Sequence, residues 1–411
     1  MTTTAAQART SVDATLTAVF REEAGRMTAS LVRFLKDFDL AEELVQESLL
    51  EALEHWPVTG IPDKPGAWLL AVARNKALER LRRSKTYDRK LSLLVASQLA
   101  DIQGERDDRL QLIFTCCHPS LAREAQVALT LRAVMGLTTA QIASAFLLNE
   151  GTVAQRIVRA KQKIVSASIP YRVPDSAQMG ERLGEVLAVL YLAFNEGHIA
   201  SSDVPQRRNL AEDAVWLTNL LVRLMPDEPE PVGLLALMRI QLARASTRFD
   251  ADGSLILLQK QDRRRWDHGA IAESMASLRR VAQLGRPGPY QLQAAIAACH
   301  AQAPTFDATD WEEICLLYDH LLDYWPTAVV RLNRAIAMQY VNGPAAALVE
   351  VDSLTDSLND YRLFHATRAQ LLRALNRYDA AHLADERALA LASNPAERRL
   401  IEERLKADRE A

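Results

Sequence analysis

No apolar run in the 411-residue chain approaches the ~20 residues that a helix needs to cross a bilayer. The first residues, MTTTAAQARTS, lack the apolar core of a secretory signal and read as a short loose tail, so a cytoplasmic protein with no membrane partner is expected. Cysteine is scarce. Four are present, none forms a C-x-x-C pair, and Cys116 and Cys117 stand side by side before His118. Adjacent helical residues point about 100° apart, so this pair does not readily chelate one ion, and reduced, buried thiols are expected. Walker, H-E-x-x-H and nucleophile-elbow motifs are missing, and the eight histidines are scattered. The expectation is therefore no enzyme, with no catalytic, cofactor-binding or metal-ligating residue. Glycine and the β-branched residues are modest beside alanine, leucine, arginine and glutamate, which favours helix over sheet.

The length itself suggests two or three domains. A net charge of −3 conceals a partition along the chain. Residues 1–165 hold 22 Lys/Arg against 19 Asp/Glu, and the remainder 27 against 33. Residues 64–90 hold nine cations and two anions, and residues 151–164 hold four cations and no anion. Such local patches matter more for phosphate binding than the total does.

Residues 12–56 pattern as amphipathic helix ended by Trp56-Pro57, residues 57–66 as a Pro/Gly loop, and residues 67–85 as a helix with a cationic second half. Residues 86–106 read as a linker, and the proline-bearing 169–175 segment as a second boundary. Residues 177–285 are mostly helical, except 248–267, where a turn introduces an apolar run that suits a strand or hairpin arm. Its DADG start is a plain turn, because no glutamate completes a calcium loop. Gln261 to Asp267 reads either as a contact site or as a salt-bridged turn. Further on, NGPAAA from Asn342 and NRYDAA from Asn376 lie 34 residues apart, as do Thr327, Tyr361 and Pro395. That is the period of tetratricopeptide (TPR) helix pairs.

In LTTAQIASAF, Thr138 or Thr139 can cap a helix whose apolar stripe is Ile142, Ala143 and Phe146. After a short turn a second helix starts at Thr152, with Val153, Ile157 and Ile164 inward and Gln155, Arg156, Arg159 and Lys163 largely outward. This is a helix-turn-helix pattern. Arginine can bond a guanine edge and glutamine an adenine edge in the major groove, Thr152 can meet a phosphate, and Lys161 and Lys163 add sequence-blind attraction. The plain alternative is a solvated cationic face. Upstream, Trp68, Leu69, Ala73 and Leu78 can face a core while Arg74, Asn75, Lys76, Arg80, Arg82 and Arg83 form a basic surface suited to single-stranded DNA. The acidic helix before it sets Leu44, Val45, Leu49 and Leu53 on one side, with Glu42, Glu43, Gln46 and Glu47 largely outside.

Acidic AEELVQE, then WLLAVARNKALERLRR, then TTAQIA and TVAQRIVRAKQKI in this order resemble bacterial RNA polymerase sigma factors of the extracytoplasmic-function (ECF) group, over residues 15–165. DDRLQLIFTCCHPSL and the TPR-like tail are similar to the subgroup with a long C-terminal extension. The resemblance implies an all-α chain of two small helical sigma modules, the second a helix-turn-helix, followed by a helical, TPR-like extension. The expected boundaries are 12–85 for region 2, 86–106 for a linker, 107–168 for region 4, 176–285 for a helical domain and 286–408 for repeats. It also implies roles. Glu42, Glu43, Val45, Gln46 and Glu47 would dock on core polymerase, whose β′ and β subunits are the expected partners. Trp68, Arg74, Asn75, Lys76, Arg80, Arg82 and Arg83 would recognise and open the −10 element. Thr152, Gln155, Arg156, Arg159, Lys161 and Lys163 would read the −35 element of promoter DNA. The extension would regulate this activity, with a regulatory protein as its expected partner. Glu79 stands where the family usually carries Asp, and Leu147 where such motifs often carry Gly. The alternative is a helix-turn-helix regulator with a TPR-like sensor that is not a sigma factor. A scaffold with solvated basic faces leaves the order of the motifs without a reason.

Overall fold

The computed structural model describes residues 19, 23–82, 108–146, 148–199, 205–250, 252, 254–392 and 395–410. Most of the first twenty residues, the expected linker 86–106, Arg83 and Leu147 lie outside the described residues. The fold is helical, and the sheet component among the described residues is one antiparallel bridge between Phe249 and Leu255. Two compact units result: residues up to Gly197 with 209–217, and residues 198–208 with 218–411.

The first unit opens with α1 (23–35) and α2 (Phe38–Thr59). Lys36 takes a left-handed φ of 58°, and the Asp37 side chain accepts from Leu40 N at 3.0 Å to cap α2. Phe38, Ala41, Leu44, Val45, Ser48, Ala52 and Trp56 are buried, spaced three or four apart as one helix face requires. Pro57 does not end α2, contrary to the sequence reading. It sits in the last turn, and the helix stops at Gly60, whose φ of 85° suits glycine and whose N–H bonds to Trp56 O. Next, α3 (Pro65–Arg82) buries Leu69, Ala73, Ala77 and Leu81. Trp68 is half-buried with its ring edge against Trp56 at 5.6 Å.

Four further helices follow: α4 (Arg109–Cys116), α5 (Arg123–Ala133), α6 (Thr139–Ala145) and α7 (Glu150–Ser166). Leu112, Ile113, Phe114, Leu129 and Ile142 are almost completely buried at their centre. Cys116 and Cys117 are also buried as free thiols, and burial pushes Cys117 up to about 12. The long α8 (Ser176–Ile199) docks on α4 and α5: Arg182 Nη2 donates to Phe114 O at 2.5 Å and Arg123 pairs with Glu185 at 2.9 Å. The 169–175 segment therefore joins two parts of one unit.

After α9 (Pro205–Leu224), the second unit continues through α10 (Pro229–Ala243), α11 (His268–Ala282), α12 (Pro289–Gln302) and α13 (Trp311–Tyr324). It closes with α14 (Ala328–Val341), α15 (Pro344–Asp352), the short α16 (Thr355–Leu358), α17 (Arg362–Ala374), α18 (Tyr378–Leu391) and α19 (Pro395–Glu410). Helices α14 and α17 start 34 residues apart, as do α15 and α18, so the period read from the sequence is the period of the helix pairs. Ala335, Ala347, Ala369 and Ala381 are fully buried in their common core. The described residues between α10 and α11 form no extended strand; the expected hairpin is reduced to one antiparallel bridge, flanked by Ile256 N donating to Arg248 O and Asp250 N to Ser254 O. They form three 3-10 turns around this bridge, and Asp250 Oδ1 accepts from Asp252 N and Ser254 N in a plain Asx turn.

Candidate nucleic-acid interface

The α6–turn–α7 pair is built by local hydrogen bonds before any packing. Thr138 Oγ1 accepts from Gln141 N at 3.1 Å, and Gln141 Oε1 accepts from Thr138 N at 2.8 Å, a complete capping box. Asn149 Oδ1 then accepts from Gly151 N at 2.8 Å and starts α7 two residues earlier than the sequence suggested. Val153, Ile157, Ala160 and Ile164 hold α7 against α5 and α6. Opposite them, Thr152, Gln155, Arg159 and Lys163 are exposed and Arg156 is half-exposed. No carboxylate of the described residues pairs with Arg156, Arg159 or Lys163. A strip of unneutralised donors on a rigid helix is what a major groove can accept.

Lys161 is not on that strip. It is buried, with Nζ 2.8 Å from Asp39 Oδ1 and 2.9 Å from Glu42 Oε1, while Glu42 Oε2 lies 3.1 Å from Arg132 Nε. Lys161 falls four residues after Ile157, so it belongs to the inward stripe by position. The cluster ties α7 and α5 to α2, and it uses Glu42, one of the residues expected on polymerase. Val45 is likewise in the core of α2, whereas Glu43 and Gln46 are exposed.

The basic face of α3 is largely matched by the acidic face of α2. Arg80 Nη2 lies 2.8 Å from both Glu43 Oε1 and Glu47 Oε1, and Lys76 Nζ lies 3.0 Å from Glu51 Oε2. These carboxylates hold the Lys76 and Arg80 cations above their ordinary proton affinities. Arg74 is half-buried, donates to Ser30 Oγ at 3.1 Å, and has its proton affinity lowered by burial and by Arg33 and Arg26. Asn75 is exposed, and Trp68 is half-buried. The Arg82 side chain and Arg83 lie outside the described residues. Of the expected −10 set, Asn75 and the accessible edge of Trp68 thus face solvent without a salt bridge, while Lys76 and Arg80 sit in the α2–α3 ladder.

Leu50 went unnamed in the sequence analysis, and Leu53, expected on the apolar side of α2, faces solvent instead. Leu50 and Leu53 of α2 are 61% and 42% exposed, beside Gln46 at helical spacing. The signal was present: Leu50 is apolar but off the buried 38–41–45–48–52–56 stripe.

Residues 19–86 match the family described as Sigma-70 region 2, and residues 111–164 match Sigma-70, region 4. Residues 182–282 match a family of unknown function, DUF6596. The chain is 44% identical to an uncharacterized protein of Rhizobium meliloti (strain 1021) over 380 residues, which cover 90% of each. It is 29% identical over 150 residues to the ECF RNA polymerase sigma factor SigL of Mycobacterium tuberculosis, covering 35% of this chain and 83% of that one. It is 26% identical over 144 residues to the probable RNA polymerase sigma-C factor of Mycobacterium bovis, covering 34% and 76%. No solved structure matches.

Proposed function

Because the chain belongs to the sigma-70 family, in its extracytoplasmic-function group, we propose that it binds core RNA polymerase and directs it to promoters, under control of its helical extension. The observation that carries this reading is the outward strip of α7, whose cations pair with no carboxylate among the described residues, on a helix-turn-helix that follows an acidic and a basic helix in sigma order. Gln155, Arg156 and Arg159 read bases of the −35 duplex, and Thr152 and Lys163 hold its backbone. Asn75 and Trp68, with the α3 cations, meet the unstacked strand of the −10 element. Opening that element is uphill by a few kcal/mol per unstacked step, which captured bases and polymerase contacts must offset.

Core docking falls to the solvent side of α2, where Gln46 leads to Leu50 and Leu53 with Glu43 alongside. An apolar pair rimmed by polar residues suits a helical partner better than Glu42, which is engaged by Lys161 and Arg132. Engaging polymerase through Glu42 requires that ion cluster to open. Co-purification with core polymerase checks the surface: the full chain should retain core, and Leu50→Glu should lose it with unchanged thermal stability. Equal retention by Leu50→Glu would remove this face from the account.

A further inference from the structure

The segment between α10 and α11 carries five arginines, Arg244, Arg248, Arg263, Arg264 and Arg265. Arg264 is exposed and closes a salt-bridged turn with Asp262 at 2.9 Å, as one of the two sequence readings expected. Three others turn inward. Arg244 and Arg263 both lie over the ring of the buried Trp266, at 5.2 and 4.8 Å from its centroid, and Trp266 Nε1 donates to Thr247 Oγ1 at 2.9 Å. Arg263 Nη1 donates to His300 O and Ala303 O at the end of α12, at 2.5 and 2.7 Å. Arg248 Nη1 donates to His198 O at 2.7 Å, and Arg244 Nη2 lies 3.5 Å from Gln261 Oε1.

What the cluster lacks is negative charge. No carboxylate of the described residues pairs with Arg244, Arg248 or Arg263. Glu397, whose charge is felt by Arg248, is already held by Arg362 at 2.6 Å. Three nitrogens, Arg244 Nε, Arg263 Nη2 and His300 Nδ1, are buried without a hydrogen-bond partner among the described residues. Burial, then Arg248 and Arg263, pull Arg244 down to about 10, and His300 falls to about 4 through burial and through Arg244 and Arg263. Guanidinium does not shed its proton near neutral pH, so an anion would offset the charge that the carbonyls and the Trp266 ring leave uncompensated. Planar donors in a fork match anions with two or three oxygens.

We propose that Arg244, Arg263 and His300, backed by the charge of Arg248, form a binding site for a small oxyanion, a carboxylate or a phosphate. Arg244 Nε, Arg263 Nη2 and a protonated Nδ1 of neutral His300 donate to its oxygens, and Trp266 fixes the two guanidinium planes. The site does not depend on the sigma reading and is tested apart from transcription.

Thermal unfolding of the full chain at neutral pH provides the test, with inorganic phosphate or acetate compared against chloride of equal ionic strength. The expected result is a saturable rise in Tm of a few degrees with at least one anion. Comparing the two arms separates phosphate from carboxylate recognition. Arg244→Gln should abolish this rise and leave Tm in chloride unchanged or higher, because it removes an uncompensated buried charge. Phosphate and acetate acting no differently from chloride would overturn the site, and so would an undiminished anion response in Arg244→Gln. Should that variant not fold, calorimetric titration of the wild-type chain decides: saturable heat supports the site and its lack overturns it.

Discussion

Arg156 and Lys161 lie five positions apart on one helix and have opposite surroundings. Arg156 projects outward with no carboxylate partner among the described residues, whereas Lys161 is buried between Asp39 and Glu42. Arg156→Ala should cost about 1–3 kcal/mol at a cognate −35 duplex, measured by fluorescence anisotropy. The same loss on an unrelated duplex would reduce Arg156 to a phosphate contact. Lys161→Met should leave duplex affinity almost unchanged and instead destabilise the first unit by about 1–3 kcal/mol, since Glu42 keeps only part of its charge-assisted bonding. A drop in affinity as large as that of Arg156→Ala would return Lys161 to the DNA face. Histidines give a pH signature in the second unit. Burial and neighbouring arginines hold His198 near 3 and His300 near 4, below the ordinary 6.5. Below 6.5 the unfolded chain takes up protons that the folded one refuses. Stability from this source is therefore complete above pH 6.5 and is lost as pH falls toward about 4. A Tm that stays level across that window would contradict the neutral assignment. The fate of Lys161 was legible in the spacing of Val153, Ile157, Ala160 and Ile164; its lysine chemistry outweighed its position in the sequence reading.

At the scale of elements, α2 and α3 are tied by Glu43, Glu47 and Glu51 against Lys76 and Arg80, so two faces read as separate functional surfaces in the sequence meet each other. Charge pattern along each helix was readable, but which helices would pack side by side depends on contacts between residues 25 to 37 positions apart. The 34-residue period was easier. Buried alanines where paired helices approach, and Thr327 capping α14 through Val330 N, are local signals that repeat in the sequence itself. A nonlocal clamp fixes the end of that array: Asp385 is fully buried between Arg373 at 2.5 Å and Arg404 at 2.8 Å, joining α17, α18 and α19. Asp385→Ala removes a buried carboxylate shared by two cations and should lower the stability of the second unit by about 3–5 kcal/mol in denaturant unfolding. A loss below about 0.5 kcal/mol, ordinary for a surface site, would refute the clamp. Nothing in the local sequence marks Asp385, because its partners come from the preceding and following helices. The 248–267 segment misled for a related reason: SLILL has strand composition, but one bridge to Phe249 leaves it no sheet to join.

For the whole molecule, the order of acidic helix, basic helix and helix-turn-helix carried the family, and it was visible because each motif is short and local. The division into units was less visible, because the prolines of 169–175 mark a connector across which α8 returns to pack on α4 and α5. The arginine cluster beside Trp266 was present as letters, RRRWD, but its want of counter-charge exists only once His198, Arg244 and His300 come together. Run-off transcription with core polymerase, this chain and its promoter, and no other sigma factor, is the decisive measurement of sigma activity. Transcripts from one defined start, reduced by Arg156→Ala, are expected. Duplex binding with no defined transcript would contradict sigma activity and leave a helix-turn-helix regulator in its place.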